Sequence, residues 1–465
     1  MKFGHEILKY RDDILRDLAE LVAIPSVYDT PLPGKPFGEA SAKALECILN
    51  MAKRLGFETD NVDNYAGDAH YGHGNDHVDI LTHVDVVPVG DGWDSDPFCT
   101  VEKDGFLYGR GVADDKGAAV VSLYCLKALK DSGIQGKHVI RTIFGAGEEI
   151  ASNDLDKYYE KHPYPVMGFT PDCAYGICHS EKGILRVDFL DKDNHRGCIQ
   201  SFQAGLAVNA VPAKATATVL CTPQQRELLL KTAKVLSFGN AGIEPFTFRF
   251  QKNLAEITAC GRAAHGAEPE LGLNAASMLI HLLTQVFTRE EAGSLLTFLS
   301  DCISTEYNGS RLGIQMSDEV SGPLTLNLGI VEIHSERSCA SIDIRYPVTK
   351  NMNFIVDMVS RTAQSYNLTA EIRNHNAPLY IPEDSTLIQL LKDAYASVMG
   401  KPCDVFSTGG GTYARGTNNK TVAFGPIFPS EASSNAHNCN ERINLENFFL
   451  HAQICLEAMY LLFTN

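Results

Sequence analysis

Four short stretches of this chain carry side chains suited to holding a cation or moving a proton. They are His83 and Asp85 in Leu81-Thr82-His83-Val84-Asp85, the pair Asp114-Asp115, the pair Glu148-Glu149, and Asp172 after Pro171. A neutral imidazole ligates a transition metal, and a carboxylate close by can orient it. Adjacent carboxylates repel one another unless a cation or a proton lies between them. Each stretch also has an ordinary alternative. A His-x-Asp at a strand end can be incidental, and paired acids before a helix can cap it and complement its dipole.

The elements that must position these residues read as one α/β region. Val78, Ile80 and Leu81 mark the end of a buried strand, which leaves His83 and Asp85 on one side of an extended backbone. Residues 138–144 alternate as a strand and run into Gly145-Ala146-Gly147-Glu148-Glu149, and a short strand over 166–170 ends at Asp172. Asp114 stands before a helix over 117–130. All four stretches fall at strand-to-loop exits, where open α/β sheets gather their chemistry. Their coincidence favours a site over four separate caps. Helices over 5–22 and 40–55, the latter closed by Gly56, are expected to pack on the sheet. A hairpin over 100–108 turns at Asp104-Gly105, and the loop over 90–98 holds the single Trp, Trp93.

From about Arg186 the pattern becomes β-rich, with helices at 224–234 and 274–286 and a strand-like run at 339–345. This insert contains Val208-Asn209-Ala210-Val211-Pro212 and Gly261-Arg262-Ala263-Ala264-His265-Gly266, which suggests an exposed imidazole on a tight loop. Near Pro382 the α/β pattern resumes. A helix over 385–399 precedes Gly409-Gly410-Gly411, a strand over 421–424, the polar loop around His437, and a last helix over 445–463 capped by Asn444. No Lys follows the glycine triplet as a phosphate loop would require. The expected organisation is a doubly wound α/β domain of residues 1–185 and 382–465, with an α+β domain of residues 186–381 inserted as a lid, large enough for two subdomains.

Composition narrows the function classes. A net charge of −17 in 465 residues argues against nucleic acid, whose phosphates need basic patches. No apolar run approaches a membrane span, and residues 1–20 are charged throughout, unlike a signal peptide. Thirteen scattered cysteines with no Cys-x-x-Cys read as reduced thiols in a cytoplasm. Two His, two Asp and two Glu form a mixed N/O donor set, which suits two zinc ions, or cobalt or manganese, better than calcium.

These motifs, in this order, resemble the co-catalytic zinc family of aminoacylases, glutamate carboxypeptidases and carnosinase-like dipeptidases. The carriers are His83-Val-Asp85-Val-Val-Pro, Gly109-Arg-Gly-Val-Ala-Asp114-Asp115-Lys-Gly, Gly145-Ala-Gly-Glu148-Glu149, Pro171-Asp172, Gly261-Arg-Ala-Ala-His265-Gly and the His437 loop. The resemblance implies a mixed-sheet zinc-peptidase catalytic domain with Asp114 bridging two zinc ions. His83 and Asp172 would complete one ion's ligands, Glu149 and His437 the other's. Asp85 would orient His83, and Glu148 would act as general base, passing a proton from the attacking water to the leaving amine. It also implies a cis peptide between Asp114 and Asp115.

Within that family the chain most resembles the bacterial dipeptidase V branch. This implies that Asn209 and His265 reach the scissile carbonyl. Arg345 and the backbone of Gly409, Gly410 and Gly411 would hold the substrate's C-terminal carboxylate, as an Arg fork can. The expected protein is a monomeric cytoplasmic dipeptidase acting on short peptides. Gly145-Ala-Gly departs from the branch's usual Gly-Thr-Asp, and Cys439 lies close to His437. The alternatives are an N-acyl amino acid deacylase of the acetylornithine or succinyl-diaminopimelate type, and a non-catalytic binding protein, which would require a lost ligand or base.

Overall fold

The strand that ends at His83 is buried from Val78 to His83, on both of its faces, as the interior strand of a parallel sheet must be. In the structure, a computed structural model that describes residues 3–150, 152–236, 245–430 and 432–465, this strand spans His77–His83. It pairs in parallel with Val139–Gly145 on one side and Met167–Thr170 on the other. Met167–Thr170 pairs in parallel with Thr421–Phe424, so chain from beyond the insert is built into the same sheet. Antiparallel strands Ala66–Gly72 and Glu58–Val62 extend one edge, and Ile177–Glu181 and Leu379–Tyr380 the other. With Val405–Thr408 beside Ile177–Glu181, the sheet has nine strands among the described residues. Ile177–Glu181 escapes sequence reading because Cys178, His179, Ser180 and Glu181 do not look like a buried strand, yet all five residues are buried.

Helices Lys116–Asp131 and Leu445–Thr464 contribute most of their apolar side chains to the core over this sheet. The N-terminal segment is not one helix but a 3-10 helix, Phe3–Tyr10, followed by an α-helix, Arg11–Val22. Gly4 lets the first of these touch the C-terminal helix. A Cβ there would collide with the Gln453 carbonyl oxygen, and the Gly4 N–H donates to Glu457 at 2.7 Å. Among the described residues no helix is long and apolar enough to cross a membrane.

Two compact units result. The first comprises residues 1–180, 379–407 and 411–465, and the second residues 181–378 with 408–410. Among the described residues, the second unit holds an eight-stranded antiparallel sheet. Its neighbouring strands Gly183–Asp191, Ser338–Tyr346 and Thr325–Ile333 pair along their lengths. Helices Ala275–Val286 and Arg289–Cys302 supply its core together with Leu185, Val187 and Phe189. On the strand Gly183–Asp191 these apolar residues alternate with Arg186 and Asp188, so the other face is charged. The fold is mixed α/β, with a mixed sheet in the first unit and an antiparallel sheet in the second.

Candidate metal centre

His83, Gly145 and Thr170 are the last residues of three adjacent parallel strands, and the loops after them carry Asp85, Glu148, Glu149 and Asp172. The capping alternative does not describe Asp114 or Asp115. Helix Lys116–Asp131 has Asp115 at its N-cap without a side-chain capping bond among the described residues. Asp115 Oδ2 accepts the His83 N–H instead, at 3.3 Å, and the Asp114–Asp115 peptide is cis.

Asp114 stands at the centre. Its Oδ1 lies 3.0 Å from His83 Nε2 and its Oδ2 lies 2.9 Å from Nε2 of His437. His437 Nε2 is also 3.2 Å from Glu149 Oε2. Donor atoms of His83, Asp114 and Glu149 converge within 4.8 Å of one another, as do those of His83, Glu148 and Asp172. Donors at about 2.0–2.1 Å on a tetrahedral zinc stand roughly 3.3 Å apart, so the observed spacings are compatible with ligands around a small cation. The donor chemistry and the geometry therefore fit a metal site.

The charges confirm how crowded the centre is. Burial raises Asp114, but hydrogen bonds with His437 and His83 outweigh it and hold the group well below the usual carboxylate range. Burial, then the neighbouring Asp114, pushes Asp172 well above that range. Burial and the surrounding carboxylates push Glu148 up to about 8. Hydrogen bonds with Asp114 and Glu149 raise His437 to about 10.

Asp85 does more than its sequence position implies. His83 Nδ1 lies 3.1 Å from the Asp85 carbonyl oxygen and 3.4 Å from its carboxylate. The two carboxylate oxygens accept the backbone N–H groups of Glu148 and Glu149, each at 3.1 Å. One buried side chain thus orients the first His and the Glu pair together. Sequence reasoning missed Asp154 and Tyr413. Asp154 accepts the Gly147 N–H at 3.0 Å and the Tyr413 hydroxyl, and the Tyr413 ring meets the His83 ring edge-on at 6.2 Å. Neither carries a motif; only their buried hydrogen bonds reveal them.

In the second unit, the loops of Asn209 and His265 are joined. The Gly266 N–H donates to the Asn209 carbonyl at 2.7 Å and Ala210 bridges to His265. Asn327, which sequence reasoning also missed, secures this loop by donating to the carbonyls of Val208 and Ala210, both at 3.0 Å. His265 is exposed, as expected, and partial desolvation together with the Arg345 charge lowers its pKa. Arg345 is buried. Its Nε and Nη2 bond the Asp343 carboxylate, and Nη1 donates to the Gly409 carbonyl at 2.7 Å. Three of its five N–H donors are therefore engaged within the unit. The Gly410 N–H donates to Thr408 Oγ1 at 3.0 Å.

Residues 80–460 match the model of peptidase family M20/M25/M40, and the chain belongs to that family. Its relatives include a Bacillus subtilis protein named "Putative dipeptidase YtjP", 34% identical over 472 residues that cover 99% of each chain. "Putative dipeptidase SAB1611c" of Staphylococcus aureus is 31% identical over 98% of each. Among solved structures, human carnosine dipeptidase 1 superposes with a TM-score of 0.57 at 17% identity, covering 99% of this chain and 98% of that one. The Saccharomyces cerevisiae di-peptidase Dug1p gives 0.58 at 16% identity with the same coverage. At such identities these two structures establish a common fold.

Proposed function

We propose that the chain is a metal-dependent dipeptidase that holds two transition-metal ions, zinc foremost, and cleaves the peptide bond of dipeptides and short peptides. The split carboxylate of Asp114 carries this reading. One oxygen faces His83 and the other faces His437 and Glu149, as a ligand shared by two cations requires. Asp172 completes the ion at His83. The full-length likeness to relatives named as dipeptidases supports the substrate class.

Two dications held there supply the positive charge that polarises a peptide carbonyl and acidifies water. Glu148 takes the proton of the attacking water and returns it to the leaving amine. Asp85 fixes the backbone from which Glu148 acts. Asn209 and His265 are assigned to the developing oxyanion, and Arg345 with Gly409, Gly410 and Gly411 to the substrate carboxylate, on the resemblance of their motifs. The thirteen free cysteines favour a reducing cytoplasm.

The test is a hydrolysis panel of dipeptides against N-acyl amino acids, with chelated and zinc-restored protein. Dipeptides turned over only after zinc is restored is the expected result. Faster cleavage of N-acyl amino acids would make the chain a deacylase. A metal-loaded protein inert towards both would be a binding protein.

A further inference from the structure

Glu441 and Arg110 form a fully buried ion pair beside the metal centre, with Arg110 Nη1 2.7 Å from Glu441 Oε2. Removing two charges from water is expensive unless the remaining donors and acceptors are also satisfied. Arg110 Nε has no hydrogen-bond partner among the described residues, but the other groups of the pair are used in a directed way. The other carboxylate oxygen, Oε1, accepts three backbone N–H groups, from Gly111 at 3.0 Å, Ala113 at 2.9 Å and Asp114 at 3.3 Å. Gly111, at φ +88°, supplies the left-handed turn that points these groups at one oxygen. The Glu441 carbonyl accepts the Gly109 N–H at 3.1 Å, so both ends of residue 441 hold the same loop.

Arg110 extends the connection to a third loop. Its Nη2 donates to the carbonyls of Pro88 and Val89 at 3.3 and 3.4 Å, and its guanidinium lies over the Trp93 ring at 5.3 Å. Asn440, next to Glu441, accepts the Asp94 N–H at 2.9 Å. Three segments therefore meet at this pair. One follows His83 and Asp85, one ends in Asp114, and one begins at His437. All belong to the same compact unit.

We propose that Glu441 is a positioning residue of the metal centre, which through its buried pair with Arg110 sets the His437 loop against the Asp114 loop. His437 is then delivered to Oδ2 of Asp114. A carboxylate is needed at 441. An amide would present one oxygen to three N–H groups and an NH2 group to Arg110. This inference rests on the metal-centre reading above.

The test uses cobalt(II) as the probe, with the full chain and its Glu441→Gln, Glu441→Asp and Arg110→Lys variants. Circular dichroism and thermal unfolding in chelator score folding, while chelator competition and the visible cobalt spectrum score the site. Residues that orient metal ligands typically change affinity about 10–100-fold, and that loss is expected in Glu441→Gln for one of two cobalt equivalents, with an altered spectrum. Glu441→Asp should recover part of the affinity. Variants that melt earlier in chelator yet bind both equivalents with wild-type affinity and spectrum would overturn the proposal, leaving Glu441 a purely structural residue. If Glu441→Gln fails to fold, Glu441→Asp and Arg110→Lys decide by the same two readouts. Wild-type protein that binds no cobalt would sink the metal-centre reading itself, a result distinguishable from unaltered binding by the variants.

Discussion

The Nε2 atom of His437 lies 2.9 Å from Oδ2 of Asp114, although the two residues lie 323 positions apart in the chain. This distance makes the C-terminal loop part of the same centre as the strand-end carboxylates. It also separates the two proposed ions by ligand, since Oδ1 of Asp114 faces His83 instead.

The protein should bind two metal equivalents. His437→Ala should remove one and retain the other, because His83 and Asp172 do not depend on the C-terminal loop. Elemental analysis of chelator-free protein and a metal titration check this. Saturation of wild type at one equivalent would exclude the bridged pair.

Glu148→Gln should abolish turnover with nearly normal metal content, because the amide keeps the shape but cannot take a proton. A general base contributes about 10²–10⁴-fold. Glu149→Gln should instead weaken the ion shared with His437. The reverse pattern in paired kinetic and metal assays would exchange the two roles.

Asp85→Asn should impair both turnover and stability. The carboxylate accepts two backbone N–H groups, and an amide has one oxygen for them. Hydrogen bonds to charged groups contribute about 1.5–3 kcal/mol each, so a loss of roughly that size is expected in urea unfolding of the chelated protein. Unchanged stability would mean that Asp85 acts on His83 alone.

His451 predicts a specific acid sensitivity. Burial lowers its pKa to about 3, and its Nδ1 lies 2.9 Å from the Tyr175 hydroxyl. The folded state holds it neutral, whereas the unfolded chain protonates near pH 6.5. Stability from this group is complete above pH 6.5 and is lost as pH falls towards 3, by up to about 1.4 kcal/mol per pH unit. His451→Gln should flatten that slope in urea titrations between pH 6 and 4. Parallel wild-type and variant slopes would show that His451 is not held neutral.

His265→Ala should depress kcat far more than metal affinity if its imidazole serves the developing oxyanion. Mixing Glu148→Gln with His265→Ala protein tests the expectation of a monomer that the family resemblance carries. No recovery of activity is expected, and recovered activity would mean that His265 acts on a partner chain.

The residues that cluster at the strand ends were legible in the sequence because their signal is local. A strand has a side-chain period of two and an open sheet has chemistry at its strand ends, so His83, Glu148, Glu149 and Asp172 could be found by where apolar runs stop. The order of the motifs supplied the family resemblance, and the start of the last helix at Asn444 followed from capping preference, its side chain accepting an N–H three residues on. What only tertiary structure decided is how groups distant in sequence share one polar atom. Glu441 and Asp154 look like any surface acid until burial forces them to find partners, and those partners are backbone N–H groups that have no sequence signature. The engagement of Arg345 by Asp343 and Gly409 is of the same kind. A guanidinium can be assigned to a ligand from its motif, but how many of its donors remain depends on packing in three dimensions.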